Sequence, residues 1–370
     1  MELNEILKTA VDRGASDVHL SPLTPPIIRF NTRLIELNDT VLEKEELEQM
    51  ALGILGDKAH RVFMVEGEID TSYRIEGVGN FRVNIYRHQG MVAIAARIIQ
   101  TKIPDLEYLG LPVTIASLAR YSSGLILITG PTGNGKSTTM ASMIDIINSE
   151  RACHIVTLED PVEYIHQNKK SYITQREMGI DSKDFAQALR ASLRQDPDVI
   201  MIGELRDLET ISTAITAAET GHLVLATLHT INAAQTVERM IDVFPSTHQQ
   251  QVRIQLSNCL RAVISQRLLP NITNERMVVA TELMICTNAI RNLIREAKYH
   301  QIPNAIFTGS QFGMLTMEMS LQYLIDQEMI DAGFQQYEKG DDAPILETLA
   351  YGSVPLVKPS RSAFQKQFSL

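Results

Sequence analysis

Tryptophan is absent from this 370-residue chain, and cysteine occurs only three times. The cysteines, Cys153, Cys259 and Cys286, are far apart and form no closely spaced pair. This spacing excludes a zinc site that could be recognised from the sequence, and it argues against a fold held together by disulfides. We therefore interpret the three residues as buried free thiols of a protein in a reducing compartment.

Positive net charge is also lacking, because 34 basic residues face 44 acidic ones, which gives −10. Such a chain is a poor candidate for a nucleic-acid-binding protein, since those proteins carry a basic footprint. Apolar runs such as Leu125–Ile128 fall far short of the roughly 20 residues of a membrane span. The N-terminal segment has no basic region followed by an apolar one, so no signal peptide is visible. We expect a cytoplasmic protein without membrane insertion.

The composition is otherwise that of an ordinary globular protein, with 44% hydrophobic and 21% charged residues. Residues 1–100 combine helical spacing, as at Leu42–Leu55, with a period-two alternation at Phe81–Tyr86 and a neighbouring strand at Ala93–Ile99. These patterns predict a small N-terminal α+β domain. Residues 101–117, which include Pro104, are interpreted as a linker.

From about residue 118 short apolar strands alternate with helical stretches. The predicted strands are Leu125–Thr129, Ile155–Leu158, Val199–Ile202 and Leu223–Thr227. Strands that alternate with helices imply a parallel sheet, so we expect residues 118–340 to form an α/β domain. A long amphipathic helix is predicted over Thr247–Leu268, with further helices at Asn288–Lys298 and Thr316–Gln327. Residues 341–370 are predicted to form a loosely ordered tail.

A phosphate-binding loop is predicted directly after the first of these strands, because the segment fits the pattern GxxxxGK[ST]. The loop consists of Gly130, Pro131, Thr132, Gly133, Asn134, Gly135, Lys136 and Ser137, and Thr138 follows it. A strand before it and a helical run after it argue against an incidental glycine-rich turn. Lys136 is expected to reach the β- and γ-phosphates, and Ser137 to bind Mg²⁺. Residues 130–138 are therefore predicted to bind ATP and Mg²⁺.

Two acidic segments that follow apolar strands are candidates for hydrolysis. Glu204 comes directly after the strand Val199–Ile202, where it can serve a Mg²⁺ site beside the phosphate-binding loop. The alternative is an acid favoured at the start of the next helix. Three acids lie within Glu159–Glu163, and like charges so close together need a nearby cation. The alternative there is a solvated turn that begins at Pro161.

His222 and His229 flank the apolar run Leu223–Leu228. Seven residues apart on a strand, they are too distant to share one metal ion. A histidine near the γ-phosphate can donate a hydrogen bond to it, whereas the alternative is a structural residue at a strand end.

Together with the phosphate-binding loop, three segments resemble the type II secretion and type IV pilus ATPases in order and spacing. His154–Glu163 is similar to the Asp box of that family, Leu193–Asp207 to its Walker B segment and Thr220–Thr230 to its His box. Ala15–Leu20 and Phe81–Asn84 resemble its N-terminal domain. The resemblance covers nearly the whole chain.

This resemblance implies an α/β protein with a RecA-like P-loop ATPase domain and a smaller, PAS-like N-terminal domain, assembled into a hexameric ring. It also implies that Glu163 is the general base and that Glu204 is the acid at the Mg²⁺ site. His229 and His222 correspond to residues that contact the region of the γ-phosphate.

Two arginines and one departure complete the comparison with the family. Arg82 and Arg97 match arginines that reach a nucleotide across a domain or subunit boundary, and the alternative is that both are outward-facing hairpin residues. Asn134 stands where the family commonly has serine. Because the backbone binds phosphate at that position, we expect little effect.

Within the family, Ala289–Glu296 matches a segment typical of the retraction ATPases that power twitching motility. The chain lacks the tetracysteine motif of many assembly and secretion ATPases. It therefore resembles a retraction ATPase, with an accessory retraction paralogue and an assembly or secretion ATPase as alternatives. The implied partners are other copies of the chain, an inner-membrane pilus platform protein and a retraction ATPase paralogue. The implied location is peripheral, at the inner face of the cytoplasmic membrane.

Overall fold

The computed structural model describes residues 2–30, 33–99, 102–273 and 277–331, and the predicted tail, residues 341–370, lies outside this range. Two compact units meet in sequence between Lys102 and Ile103. In the part of the chain that the structure describes, no helix is both long and apolar enough to cross a membrane.

The first unit is an antiparallel sheet with helices, as the α+β prediction requires. Its elements are α1 (Leu3–Asp12), β1 (Asp17–Leu20), β2 (Ile27–Phe30), β3 (Arg33–Glu36), α2 (Lys44–Glu66), β4 (Glu68–Ile75), β5 (Gly79–His88) and β6 (Met91–Ile99). The strand order is β3-β2-β1-β6-β5-β4. Alternate residues of β5, Phe81, Val83 and Ile85, are fully buried, which is the period-two pattern of a sheet with one face on the core.

The second unit is a seven-stranded sheet in the order β13-β12-β7-β11-β10-β8-β9. Its elements are α3 (Val113–Ala119), β7 (Gly124–Thr129), α4 (Lys136–Glu150), β8 (His154–Glu159), β9 (Tyr172–Glu177), α5 (Phe185–Ser192), β10 (Val199–Ile202), α6 (Leu208–Glu219), β11 (Leu223–Leu228), α7 (Ala233–Asp242), α8 (Ser246–Cys259), β12 (Leu260–Pro270), β13 (Met277–Ile285), α9 (Asn288–Arg295), α10 (Ile302–Phe307) and α11 (Met317–Asp326). The four predicted strands are confirmed, and they pair in parallel.

Both faces of this sheet are buried. Leu125 and Leu127 of β7 belong to one apolar cluster, whereas Ile126 and Ile128 belong to a second cluster on the opposite face. A parallel sheet covered on both sides needs continuous apolar strands, and these short runs of leucine, isoleucine and valine provide them. Polar functional side chains are therefore expected at the ends of the strands.

The predicted linker, residues 101–117, contributes to the core of the second unit. Leu106, Leu109 and Leu111 are buried there, and α3 begins at Val113. A proline-containing stretch resembles a linker by composition, but its leucines have an apolar sheet face to cover.

The predicted long helix over Thr247–Leu268 is wrong in its second half. Helix α8 ends at Cys259, and the chain continues at once as β12, which pairs with β7 in parallel and with β13 in antiparallel orientation. The segment after Cys259 is buried between two strands, and the pairing selects a strand from a pattern that also fits a helix.

Candidate nucleotide-binding site

The loop between β7 and α4 has the backbone of a phosphate cradle. Gly130, Gly133 and Gly135 have φ angles of 138°, 79° and 77°, which favour glycine. A methyl group at Gly130 would lie 2.3 Å from the carbonyl oxygen of Gln266 on β12, so a larger residue does not fit. Helix α4 begins at Lys136, and its N-terminus adds positive partial charge to the loop.

Lys136 is buried inside this loop with an exposed fraction of 8%. Its Nζ donates hydrogen bonds to the carbonyl oxygens of Gly130 at 2.8 Å and Pro131 at 2.9 Å. Burial lowers the pKa of Lys136, while the nearby carboxylates of Glu204 and Glu163 act in the opposite direction. The ammonium group is therefore held in the loop, close to the charges of both acidic segments.

Asn134 does more in this loop than the sequence suggested. Its side chain, 5% exposed, donates to the carbonyl oxygens of Pro131 at 3.2 Å and Thr132 at 3.3 Å. Its Oδ1 accepts from the backbone N–H of Leu268 at 2.7 Å. The asparagine thus ties the loop to itself and to β12.

Glu204 lies just past the end of β10, and His229 just past the end of the neighbouring strand β11. Because the two strands are parallel, their ends meet at the same edge of the sheet. One carboxylate oxygen of Glu204 accepts from Arg206 at 2.8 Å, and the other lies 3.0 Å from His229 Nε2. Burial opposes ionisation of Glu204, but these partners more than offset it and hold its pKa below the usual value. A carboxylate is therefore kept charged beside Lys136.

The acidic segment after β8 contains two different kinds of carboxyl group. Glu159 is buried, and it accepts from the Thr157 hydroxyl at 2.6 Å. Burial raises the pKa of Glu159 to about 7. Glu163 is exposed in the loop that follows β8. The side chain of the next residue, Tyr164, meets the Thr138 hydroxyl of α4 at 3.0 Å, which links this loop to the phosphate-binding loop.

His222 is not brought to this edge of the sheet. It precedes β11, whereas His229 follows it, so about 20 Å of strand separates the two residues. The ring Nδ1 of His222 lies 3.0 Å from the carbonyl oxygen of Ala217. Its contacts are those of a structural residue at the start of a strand.

Arg82 and Arg97 lie in the first unit, directly opposite each other on β5 and β6, and both are exposed. Directly opposed residues of antiparallel strands share one face of the sheet. Arg97 Nε donates to Asp17 Oδ1 at 2.8 Å, although the Arg97 side chain remains 70% exposed. The two cations therefore form an outward-facing pair.

Sequence reasoning missed two side chains that contact the acidic residues Glu204 and Glu159. Arg206 follows Glu204 by two residues, so its proximity could have been inferred from the chain alone. Gln175 on β9 contacts Glu159 and Tyr164, and no local pattern marks it, because its partners come from another strand and a loop.

A covered parallel sheet, a glycine cradle at a helix N-terminus and a charged carboxylate beside the buried lysine define a nucleotide-binding protein of the RecA-like P-loop class. The sequence model of the family described as "Type II/IV secretion system protein" matches residues 1–289. The chain belongs to this family.

Individual relatives agree with this assignment. The type IV pilus retraction ATPase PilT of Pseudomonas aeruginosa is 44% identical over 330 residues, which cover 89% of this chain and 96% of that protein. A twitching motility protein of Neisseria gonorrhoeae is 44% identical, with 88% and 87% covered. A crystal structure of the pilus retraction motor PilT with bound ADP superposes with a TM-score of 0.85 at 45% identity, covering 94% of this chain and 99% of that one.

Proposed function

We propose that this protein is an ATP-hydrolysing motor that drives retraction of type IV pili. The observation that carries this proposal is the convergence of Lys136, Glu204 and His229 at one edge of the sheet. It occurs in a chain that is 44% identical to a retraction ATPase over nearly its full length. The convergence of these residues supports ATP hydrolysis, and the identity supports pilus retraction as the mechanical task.

Residues 130–138 bind the phosphates of ATP. The backbone N–H groups of the glycine cradle face the phosphate oxygens, and the Lys136 ammonium exchanges its two carbonyl partners for them. The Ser137 hydroxyl and the ionised Glu204 are oxygen donors of the kind that Mg²⁺ prefers. Among the described residues no group of three His, Cys, Asp or Glu side chains could hold a metal ion.

Hydrolysis depends on two carboxylates with different tasks. Glu163 is exposed and orients the attacking water as the general base. Glu204 serves the Mg²⁺ site and is held ionised by Arg206 and His229. His229, which contacts Glu204, then senses the γ-phosphate. His222, at the far end of β11, is left out of this set.

The motor works as a homo-hexamer at the inner face of the cytoplasmic membrane, where it acts on an inner-membrane pilus platform protein. In the ring, Arg82 and Arg97 provide positive charge to a nucleotide, which stabilises the transition state and couples hydrolysis to the position of a subunit. Their shared exposed face supports this role. A retraction ATPase paralogue is a further candidate partner.

ATP turnover tests the chemistry. We expect Lys136→Ala and Glu204→Gln each to reduce turnover by about 10²-fold or more, because each removes a charge that acts on the phosphates or their metal ion. Phosphate release by the purified oligomer is the measurement, and Glu48→Gln on the exposed face of α2 is the control. Normal turnover in either variant would contradict the assignment of that residue.

Deletion of the gene in its host tests the direction of work. For a retraction motor we expect more surface pili by electron microscopy together with lost twitching. Cells without pili would indicate an assembly ATPase. Unchanged pili would indicate an accessory paralogue or a different pilus-like system.

A further inference from the structure

The side-chain amide of Gln175 uses both of its N–H donors and its carbonyl oxygen on residues near Glu163. Its Nε2 donates to Glu159 Oε1 at 3.0 Å and to the carbonyl oxygen of Tyr164 at 2.8 Å. Its Oε1 accepts from the backbone N–H of His166 at 2.8 Å. A primary amide offers two N–H donors and one carbonyl oxygen, so a single side chain connects a strand end and two points of one loop.

Glu159, the first of these partners, is a fixed anchor. It is the last residue of β8, is only 6% exposed and also accepts from the Thr157 hydroxyl. The backbone N–H of Glu163 lies close enough to this carboxyl group to lower its pKa, against the larger effect of burial, which raises it. The main chain at Glu163 therefore lies beside a carboxyl group that also anchors Gln175.

The loop that carries Glu163 is fastened on both sides of that residue. The backbone N–H of Val162 donates to Glu177 Oε2 at 3.2 Å, and Glu177 lies two residues after Gln175 on β9. On the other side, Tyr164 is held by Gln175 through its carbonyl oxygen and by Thr138 through its hydroxyl. Thr138 is the third residue of α4, so the far end of the network lies directly after the phosphate-binding loop.

We propose that Gln175 is a positioning residue for ATP hydrolysis, which together with Glu159 sets the position of Glu163 relative to Lys136. This inference rests on the proposed function, in which Glu163 is the general base. Gln175 contacts neither nucleotide nor water in this role. It acts by fixing the main chain that directly follows Glu163, an exposed carboxylate whose charge reaches Lys136.

Two substitutions separate this role from a general packing role. Gln175→Met keeps the length of the side chain and removes all three hydrogen bonds. Gln175→Glu keeps an acceptor for the N–H of His166, removes both donors and puts a second carboxyl group beside Glu159. The control is Gln187→Ala, which removes the same functional group from an exposed position in the first turn of α5.

In both Gln175 variants we expect kcat to fall by about tenfold or more, because a small displacement of a catalytic group is costly. KM for ATP and the affinity for a fluorescent ATP analogue stay within about twofold of the unaltered protein, since the phosphate-binding loop is intact. Amide hydrogen exchange of residues 161–168 becomes faster, while that of residues 130–138 is unchanged. Gln187→Ala matches the unaltered protein in every measurement.

Normal kcat in either folded Gln175 variant, with active unaltered protein, overturns the positioning role and leaves the proposed function intact. Equal losses of ATP affinity and kcat also overturn it, because they indicate a general structural role. If Gln175→Met does not fold, Gln175→Glu decides the question alone. An assembled, unaltered protein that binds ATP without hydrolysing it contradicts the proposed function itself.

Discussion

Glu159 is a buried carboxyl group whose charge state depends on pH near neutrality. Burial raises its pKa to about 7, despite hydrogen bonds from Thr157 and Gln175. The folded protein therefore binds a proton at Glu159 more strongly than the unfolded chain does, whose ordinary value is 4.5. The stability that this group contributes is fully present below the unfolded pKa of 4.5, and it is lost as the pH rises through the folded pKa of about 7.

We therefore expect the free energy of unfolding of the unaltered protein to fall by about 2 kcal/mol more than that of Glu159→Gln when the pH is raised from about 5.5 to about 8. The glutamine carries no charge at either pH, so the variant avoids the cost of an ionised buried carboxylate. Urea unfolding without nucleotide at both pH values is the measurement. His166, whose pKa burial lowers to about 4, is common to both proteins and cancels in the difference. Parallel pH dependence of the two proteins would contradict the expectation.

Single residues also show where the sequence was sufficient and where it was not. Lys136, Glu204 and His229 could be placed together from the sequence, because parallel strands end at one edge and each residue follows such a strand. Gln175 could not, because its partners depend on which strand lies beside β8 and how the following loop folds back. The hydrogen bond between Asn134 and Leu268 was missed for the same reason, because it crosses to β12.

Helix α2 contains two glycines that differ only in backbone conformation. Gly53 has helical geometry, whereas Gly56 has φ 63° and ψ 176° and forms a kink inside the helix. A methyl group added at either position would meet no atom within 4 Å outside its chain neighbours and the backbone of its own helix. Any difference between alanine substitutions at these positions therefore comes from the backbone.

We expect Gly53→Ala to stabilise the protein by about 0.5–1 kcal/mol, because alanine is the better helix former. Gly56→Ala should destabilise it by about 1–3 kcal/mol, because that conformation is essentially restricted to glycine. Chemical unfolding of the two variants under one condition measures both signs. Equal effects would mean that the kink straightens when Gly56 is replaced.

Helices and strands could be predicted where the local sequence pattern fitted only one of the two conformations. The four central strands are short, continuously apolar and bounded by polar residues, and all four were correct. The helix prediction is wrong for residues 260–268, because the apolar residues there fit either period. Pairing with β7 and β13 decides the conformation of this segment, and that information is not local.

At the scale of the whole molecule, the proposed role of Arg82 predicts that neighbouring subunits complete each other's sites. Arg82 and Arg97 share one exposed face, and the phosphate-binding loop belongs to the other compact unit. If Arg82 reaches the nucleotide of a neighbouring subunit, a site needs Lys136 from one chain and Arg82 from the next. A mixed ring, in which some chains lack Lys136 and the others lack Arg82, then contains some complete sites.

We expect Arg82→Ala and Lys136→Ala proteins each to hydrolyse ATP poorly, and an equal mixture, dissociated and reassembled, to recover activity. In a random ring each site takes its lysine and its arginine from different chains, so about one quarter of the sites are complete. Phosphate release by the mixture is the measurement, and mixing Lys136→Ala with Glu204→Gln is the control, because both residues serve the same chain's site. Recovery in the first mixture alone supports an arginine supplied by a neighbour. Recovery in neither mixture, with mixed rings verified by native mass spectrometry, means that Arg82 serves the site of its own chain.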